Sequence, residues 1–485
     1  MSEDSIKKSL IHGVAYTALA KYSGVIISLV ISAILARLIA PKEFGIMSVA
    51  MVLIAFFSIF TDFGIGPAII QKKELSTDDY SGIFSFSFWV GVFLSVSFFF
   101  CSGFIADFYK TETLKTVCQL LSLNLFFGAV NIVPNGLLYR DKRFKYIALR
   151  SFSVQAITGL IAVVAALKGA GIYALLINPI ISSIGVFVIN YTQYPMRLRF
   201  SLGLTSIRKI FNYSLFQFMF NIINFFSRNI DSLLIGKYIN MQQLGFYDKS
   251  YRLMLLPLEN ITQVISPVMH PVFSDMQNNK QYLAKSYLRV VRLLAFIGFP
   301  LSAFLFFSSE ELILLIFGPQ WQPSVEIFRI LSISVGFQII LSSSGAIFQA
   351  SNSTHLLFIS GVLSTTLNVA AICLGVFCFK STIAVSWGLV IAFTLNFIQC
   401  YVLLFKYNFH ERIILFLKEL YSPIIACLIL TAGLFIISPL TESFPLIIRF
   451  IIKSTLSLTF FLLYIHMTKE YDLRALSNKI LHYRG

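Results

Sequence analysis

About fourteen stretches of this chain are apolar enough and long enough to cross a bilayer, and only short connections join them. A spanning helix needs about twenty such residues. By that ruler the stretches lie near residues 11–35, 44–70, 83–106, 116–138, 147–167, 170–191, 209–235, 244–270, 290–315, 324–350, 355–378, 381–405, 420–438 and 445–467. No connection is long enough to hold a domain outside the membrane. With 57% hydrophobic and only 12% charged residues, the chain lacks the charge a soluble surface needs. The expectation is an all-α membrane protein with about fourteen transmembrane helices.

The formal net charge is +16. In a soluble protein such an excess points to nucleic acid. Here no basic run with interleaved aromatics lies outside an apolar stretch, so no nucleic-acid partner is expected. If the N-terminus is cytoplasmic, the inner connections hold roughly three times the Lys and Arg of the outer ones, with Arg140, Lys142, Arg143 and Lys145 in one of them. That bias places both termini in the cytoplasm. The opening MSEDSIKK lacks a clean basic n-region, and no small-residue cleavage site follows, so the first stretch reads as a retained helix.

An internal repeat is visible at an offset of 200 residues. Ala36-Arg37-Leu38-Ile39 with Phe44-Gly45 matches Gly236-Lys237-Tyr238-Ile239 with Leu244-Gly245, and Gly66-Pro67 matches Ser266-Pro267. Six helices per half is an even number, so both halves enter the membrane from the same side. They are expected to form two six-helix bundles, 1–200 and 201–410, as parallel repeats around a central cavity. A C-terminal helix pair, 411–485, follows.

A charged side chain at the bilayer centre costs about 2.5–3.5 kcal/mol on insertion scales, so each one is a candidate functional residue. In the seventh stretch Gln217, Asn221, Asn224, Arg228 and Asp231 step by 4, 3, 4 and 3, along one helix face. The eighth stretch repeats the pattern with Asp248, Arg252, Glu259, Gln263, Ser266 and His270. Moved back by 200, the seventh-stretch stripe falls on Thr17, Lys21, Gly24, Ser28 and Ile31, and the second stretch adds Asp62. These four helices are expected to line the cavity, with Lys21, Arg228 and Arg252 as its cations. Gln217, Asn221 and Asn224 would be its neutral polar lining. Asp62, Asp231 and Glu259 are the candidates for coupling to an ion gradient.

Plainer roles compete. Arg228 with Asp231 and Asp248 with Arg252 are one helical turn apart, so each pair can neutralise itself while bracing helix packing. Asn124, Asn131 and Asn135 share a face and serve either as helix glue or as cavity lining. Lys21 has no acid within a turn. Catalytic signatures are missing: there is no GxxxxGK(S/T) loop, no HExxH and no CxxC. Cys101, Cys118, Cys373, Cys378, Cys400 and Cys427 sit inside apolar stretches without metal spacing and behave as small hydrophobes. Neither a cofactor nor an enzymatic activity is expected.

Several segments resemble a known family. The run Ala36-Arg37-Leu38-Ile39-Ala40-Pro41-Lys42-Glu43-Phe44-Gly45 is similar to the turn after the first helix of polysaccharide flippases. Asp62-Phe63-Gly64-Ile65-Gly66-Pro67-Ala68-Ile69-Ile70-Gln71 is similar to the end of their second helix. Arg228 through Gly236, followed by Leu244 through Arg252, resembles the start of their second half, and Gly318-Pro319-Gln320-Trp321 precedes the tenth helix as it does there. The family is the Wzx-type oligosaccharide flippases, in the branch linked to lipopolysaccharide and colanic-acid-like export, within the multidrug/oligosaccharidyl-lipid/polysaccharide exporter superfamily.

The resemblance implies alternating access in a bacterial inner membrane, with a polyprenyl-diphosphate-linked sugar repeat unit as substrate. It implies membrane lipids as partners, and a polysaccharide polymerase and chain-length regulator beside them. Lys21, Arg228 and Arg252 are the positions that would meet the diphosphate or acidic sugars. Lys21 departs from the bidentate fork that an Arg would offer. Competing expectations are an ion-coupled, MATE-like exporter of small molecules, a flippase for another lipid-linked precursor, and a membrane enzyme or assembly scaffold.

Overall fold

The computed structural model describes residues 22–72, 74–200, 218–219, 221–222, 225–226, 228–277 and 279–468 of the chain. Among the described residues there is no strand. The helices are α1 (Tyr22–Leu38), α2 (Pro41–Asp62), α3 (Ile65–Gln71), α4 (Thr77–Tyr109), α5 (Thr113–Arg140), α6 (Phe144–Leu167) and α7 (Ile172–Gln193). After α8 (228–238) come α9 (Met241–Ser274), α10 (Lys280–Phe307), α11 (Ser309–Phe317), α12 (Gln322–Ser332), α13 (Val335–Leu341) and α14 (Ser344–Ala350). The chain continues as α15 (Thr354–Cys373), α16 (Thr382–Val402), α17 (Ile413–Leu440) and α18 (Leu446–Thr468). Short π-helical turns extend α15 to Cys378 and α16 to Phe409.

Ten of these helices are long and apolar enough to cross a membrane, or eleven if the bent run from Pro319 to Ala350 is one span. The protein is a multi-pass membrane protein. Two compact units divide at Gly245.

In the first unit α5 is the central helix, touching α2, α3, α4 and α7, while α6 packs on α7. Helix α4 begins at a capping box: Ser76 Oγ accepts from the Asp79 amide, and the Asp79 carboxylate accepts from the Ser76 amide at 3.0 Å. Helix α2 stops where Phe63 and Gly64 take positive φ angles of 38° and 70°, and α3 restarts at Ile65. Asp62 spans this break, its Oδ1 accepting the Gly66 amide at 3.3 Å.

The first turns of α2 and α9 meet at two glycines. A Cβ on Gly45 would lie 1.7 Å from the Met241 carbonyl oxygen, and one on Gly245 would lie 2.0 Å from that of Pro41. No side chain fits in either place. The contact is reciprocal: an offset of 200 residues carries Pro41 to Met241 and Gly45 to Gly245.

In the second unit α10 is the central helix, packed on α12, α13, α17 and α18. Its buried Tyr287 hydroxyl lies 3.0 Å from that of Tyr401, whose ring stacks on Phe416 with centroids 4.1 Å apart. The bend between α12 and α13 is 48°. Ser302 Oγ of α10 donates to the carbonyls of Ser332 and Ile333 at 2.6 and 3.1 Å, satisfying groups that the bend frees. Three charge pairs fasten the last two helices to this unit. Arg292 meets Glu419 at 3.2 Å, Arg449 meets Glu310 at 3.8 Å, and Lys453 meets Glu311 at 2.6 Å.

Candidate functional site

Lys21, Gln217 and Asn224 lie outside the described residues. Asn221 is half-buried. Arg228 is exposed at the start of α8, and Asp231, one turn on, is buried with its Oδ1 accepting the Ser232 amide at 2.7 Å. Around this stretch the chain is aromatic: Phe218 packs on Phe60 and Phe63 of the α2 end, and Phe225 packs on Phe56, at centroid separations of 5.0–5.3 Å. These aromatic contacts join Phe218 and Phe225 to the α2 end.

On α9 the expected pair forms. Arg252 Nε donates to Asp248 Oδ2 at 2.8 Å, yet the Arg252 side chain stays 64% exposed. Between them Lys249 is buried, its ammonium 5.4 Å from the centre of the Phe317 ring. Glu259 is exposed. Asp62 is committed in part to the break between α2 and α3, so its carboxylate has a structural partner as well as any coupling role.

Asn124, Asn131 and Asn135 act as interhelical glue. Asn124 Nδ2 donates to the Pro179 carbonyl at 2.7 Å. Asn131 Oδ1 accepts from Asn190 Nδ2 at 2.7 Å, and Asn135 Oδ1 accepts from Arg150 Nη1 at 3.2 Å. A second polar knot joins Thr158 of α6 to Asn178 and Ser182 of α7 at 2.9 and 3.1 Å.

A profile of the family described as polysaccharide biosynthesis protein matches residues 34–326, more than half of the chain. The chain belongs to that family. This polysaccharide-biosynthesis membrane protein is 25% identical to the teichuronic acid biosynthesis protein TuaB of Bacillus subtilis, over 74% of this chain and 75% of TuaB. It is 24% identical to the lipopolysaccharide biosynthesis protein WzxC of Escherichia coli, over 83% of this chain and 82% of WzxC. Its fold is similar to that of the lipid II flippase MurJ in an inward closed conformation, with a TM-score of 0.74 and 14% identity. That match covers 94% of this chain and 98% of MurJ.

Two features of this family member escape the sequence reading. Arg150 sits on α6 as a buried cation, and Lys453 pairs with Glu311 across 142 residues of sequence. Arg150 carries a usable signal: it is an Arg inside an apolar run, which the rule applied to Lys21 and Arg228 also selects. Lys453 has no acid on its own helix face, so only the fold reveals its partner.

Proposed function

We propose that this protein is a flippase. It moves a polyprenyl-diphosphate-linked oligosaccharide repeat unit across the cytoplasmic membrane by alternating access, for surface polysaccharide assembly. Family membership over residues 34–326, on a fold shared with a lipid II flippase, carries this reading. The names of TuaB, a teichuronic acid biosynthesis protein, and WzxC, a lipopolysaccharide biosynthesis protein, support the substrate class. A diphosphate and a chain of hydroxyls cannot cross hydrocarbon unaided, so a polar, cationic path lowers that barrier while the lipid tail stays in the bilayer. Transport of this kind uses binding and conformational change and needs no catalytic group.

The working architecture is fourteen spans, with halves 1–200 and 201–410 and a terminal pair 411–485. The three stretches near 11–35, 209–235 and 244–270 would add to the eleven apolar spans. The parallel repeat is supported by helix starts at 41, 77, 113, 144 and 172 in the half 1–200 and at 241, 280, 309, 354 and 382 in the half 201–410. Lys21, Arg228 and Arg252 would meet the diphosphate or acidic sugars, with Gln217, Asn221 and Asn224 meeting hydroxyls. Asp62, Asp231 and Glu259 would couple the cycle to an ion. Both termini would lie on the cytoplasmic side of a bacterial inner membrane, as the connection bias supports, with a polymerase and chain-length regulator receiving the flipped units.

The test is leaflet exchange of a fluorescent polyprenyl-diphosphate oligosaccharide in liposomes, comparing wild type, Lys21→Ala and Arg228→Ala. Exchange that is lost in both folded variants is the expected result. Exchange that survives both keeps the flippase and removes these cations from its path. No exchange under a proton or a sodium gradient would leave an ion-coupled exporter of small molecules as the better reading.

A further inference from the structure

Arg150 lies two turns into α6, about 9 Å from the start of the helix at 1.5 Å per residue. Only 9% of it is exposed. Every partner it has is neutral. Nη1 donates to Asn190 Oδ1 at 2.5 Å and to Asn135 Oδ1 at 3.2 Å, and Nη2 reaches Ser151 Oγ at 3.3 Å. Nε is buried and has no partner. Three acids of this unit are engaged elsewhere: Asp78 pairs with Arg199 at 2.5 Å, Asp79 caps α4 through Ser76, and Asp141 accepts from the Tyr194 hydroxyl. No carboxylate among the described residues pairs with Arg150.

A guanidinium does not lose its charge in a protein, and a buried ion without a counter-ion is costly. The way this one is held suggests what completes it. Both asparagine oxygens engage Nη1 and fix one end of the fork. The side-on edge formed by Nε and Nη2, which binds phosphate or carboxylate through two parallel hydrogen bonds, is left with one long contact to a hydroxyl. Ser151, which Nη2 reaches, is exposed, so the Nη2 end of this edge lies toward the surface of the unit while Nε is buried.

We infer that Arg150 is an anion-binding residue that takes a phosphate-class oxyanion on its Nε–Nη2 edge, with Asn135 and Asn190 as positioning residues. This inference rests on the flippase reading in naming the substrate diphosphate as the occupant. The phosphate of an ordinary anionic phospholipid offers the same chemistry.

The experiment uses the full chain in nanodiscs of zwitterionic lipid. Polyprenyl diphosphate, phosphatidylglycerol or neutral polyprenol is added, and thermal unfolding and lipid adducts by native mass spectrometry are recorded. Wild type should be stabilised by polyprenyl diphosphate and not by polyprenol. Arg150→Gln should bind it roughly ten- to a hundredfold more weakly, the span for hydrogen bonds to a charged group. Asn190→Asp supplies a carboxylate where Nη1 now meets an amide. It should still fold, with Asn131 turning its amide nitrogen toward the new carboxylate, and lose the response to diphosphate, which a merely structural arginine would not produce.

An equal response to phosphatidylglycerol would overturn the substrate as occupant and assign a lipid headgroup instead. A wild-type response unchanged in folded Arg150→Gln and Asn190→Asp, or no response in wild type, would overturn the site. Leaflet exchange measured on the same preparations separates the two proposals. Exchange without an Arg150-dependent response leaves the flippase standing, and an Arg150-dependent response without exchange leaves the site standing.

Discussion

Replacing Gly45 or Gly245 with alanine tests whether the α2–α9 crossing depends on the missing side chains. On Gly45 the new Cβ would stand 1.7 Å from the Met241 oxygen, whereas ordinary contact begins at 3.4 Å, so the backbones must part by about 1.7 Å (3.4 − 1.7). On Gly245 the same subtraction from 2.0 Å gives about 1.4 Å. Overpacking of this kind costs about 1–3 kcal/mol. Separation also weakens two Cα–H···O contacts, each contributing about 0.5–1 kcal/mol. Alanine returns up to about 1 kcal/mol in helix propensity. The net loss for either single variant is therefore about 1–4 kcal/mol. Because one separation relieves both clashes, Gly45→Ala/Gly245→Ala should cost about as much as one single change, well short of the sum. Equilibrium unfolding in mixed micelles measures this, with Gly361→Ala as control. A Cβ at Gly361 meets nothing within 4 Å, so that change should be neutral or stabilising. A Gly45→Ala protein within about 0.5 kcal/mol of wild type, or a fully additive double variant, would refute the reasoning.

Two further outcomes separate charges that hold the fold from charges that serve transport. Glu311 is 0% and Lys453 6% exposed at the side chain, so Lys453→Met or Glu311→Leu alone should destabilise by about 3–5 kcal/mol in the same unfolding assay. The double variant should return close to wild type, because neither charge is then left without its partner. On α9, Asp248→Asn should change stability by less than about 1 kcal/mol, as a one-turn pair with one exposed partner does, the Arg252 side chain being 64% and that of Asp248 14% exposed, and leave leaflet exchange intact. Arg252→Ala should match it in stability yet lower exchange; equal exchange in both variants would remove Arg252 from the substrate path.

Much of the fold was legible because the bilayer imposes a length. The closely spaced stretches at 147–167 and 170–191 are indeed two helices, α6 and α7, separated at Lys168–Gly171 by glycines with positive φ. What the apolar ruler could not show is where a helix breaks inside its own stretch. The run 44–70 is interrupted at Phe63–Gly64, and the run 324–350 at Ile333–Ser334 and again at Ser342–Ser343, inside stretches that remain apolar enough overall to span. The first two breaks are stabilised by particular acceptors and donors, Asp62 for the Gly66 amide and Ser302 for two carbonyls, and Ser302 lies on a different helix. The Asp62–Pro67 motif was visible as a resemblance; its local work as a broken helix was not.

The candidate site was less legible, because in a membrane the decisive property of a charge is whether an acid faces it. Sequence shows that property only within a turn of one helix, which is why Asp248–Arg252 could be foreseen and the other pairs could not. Arg292, Arg449 and Lys453 look as exceptional in their apolar stretches as Arg150 does. The fold gives each of the three an acid on another helix, at 3.2, 3.8 and 2.6 Å, and all three join the last two helices to the rest of their unit. Arg150 receives only amide and hydroxyl oxygens. Fixed carboxylates would hold a cation permanently, so they suit an anchor; neutral acceptors orient it and leave its charge available to a ligand that must also depart. A carrier of anionic headgroups needs the second arrangement at the places its substrate visits. The contrast between Lys453 and Arg150 therefore separates anchor from carrier by partner chemistry, a distinction that depth in the membrane alone would not provide.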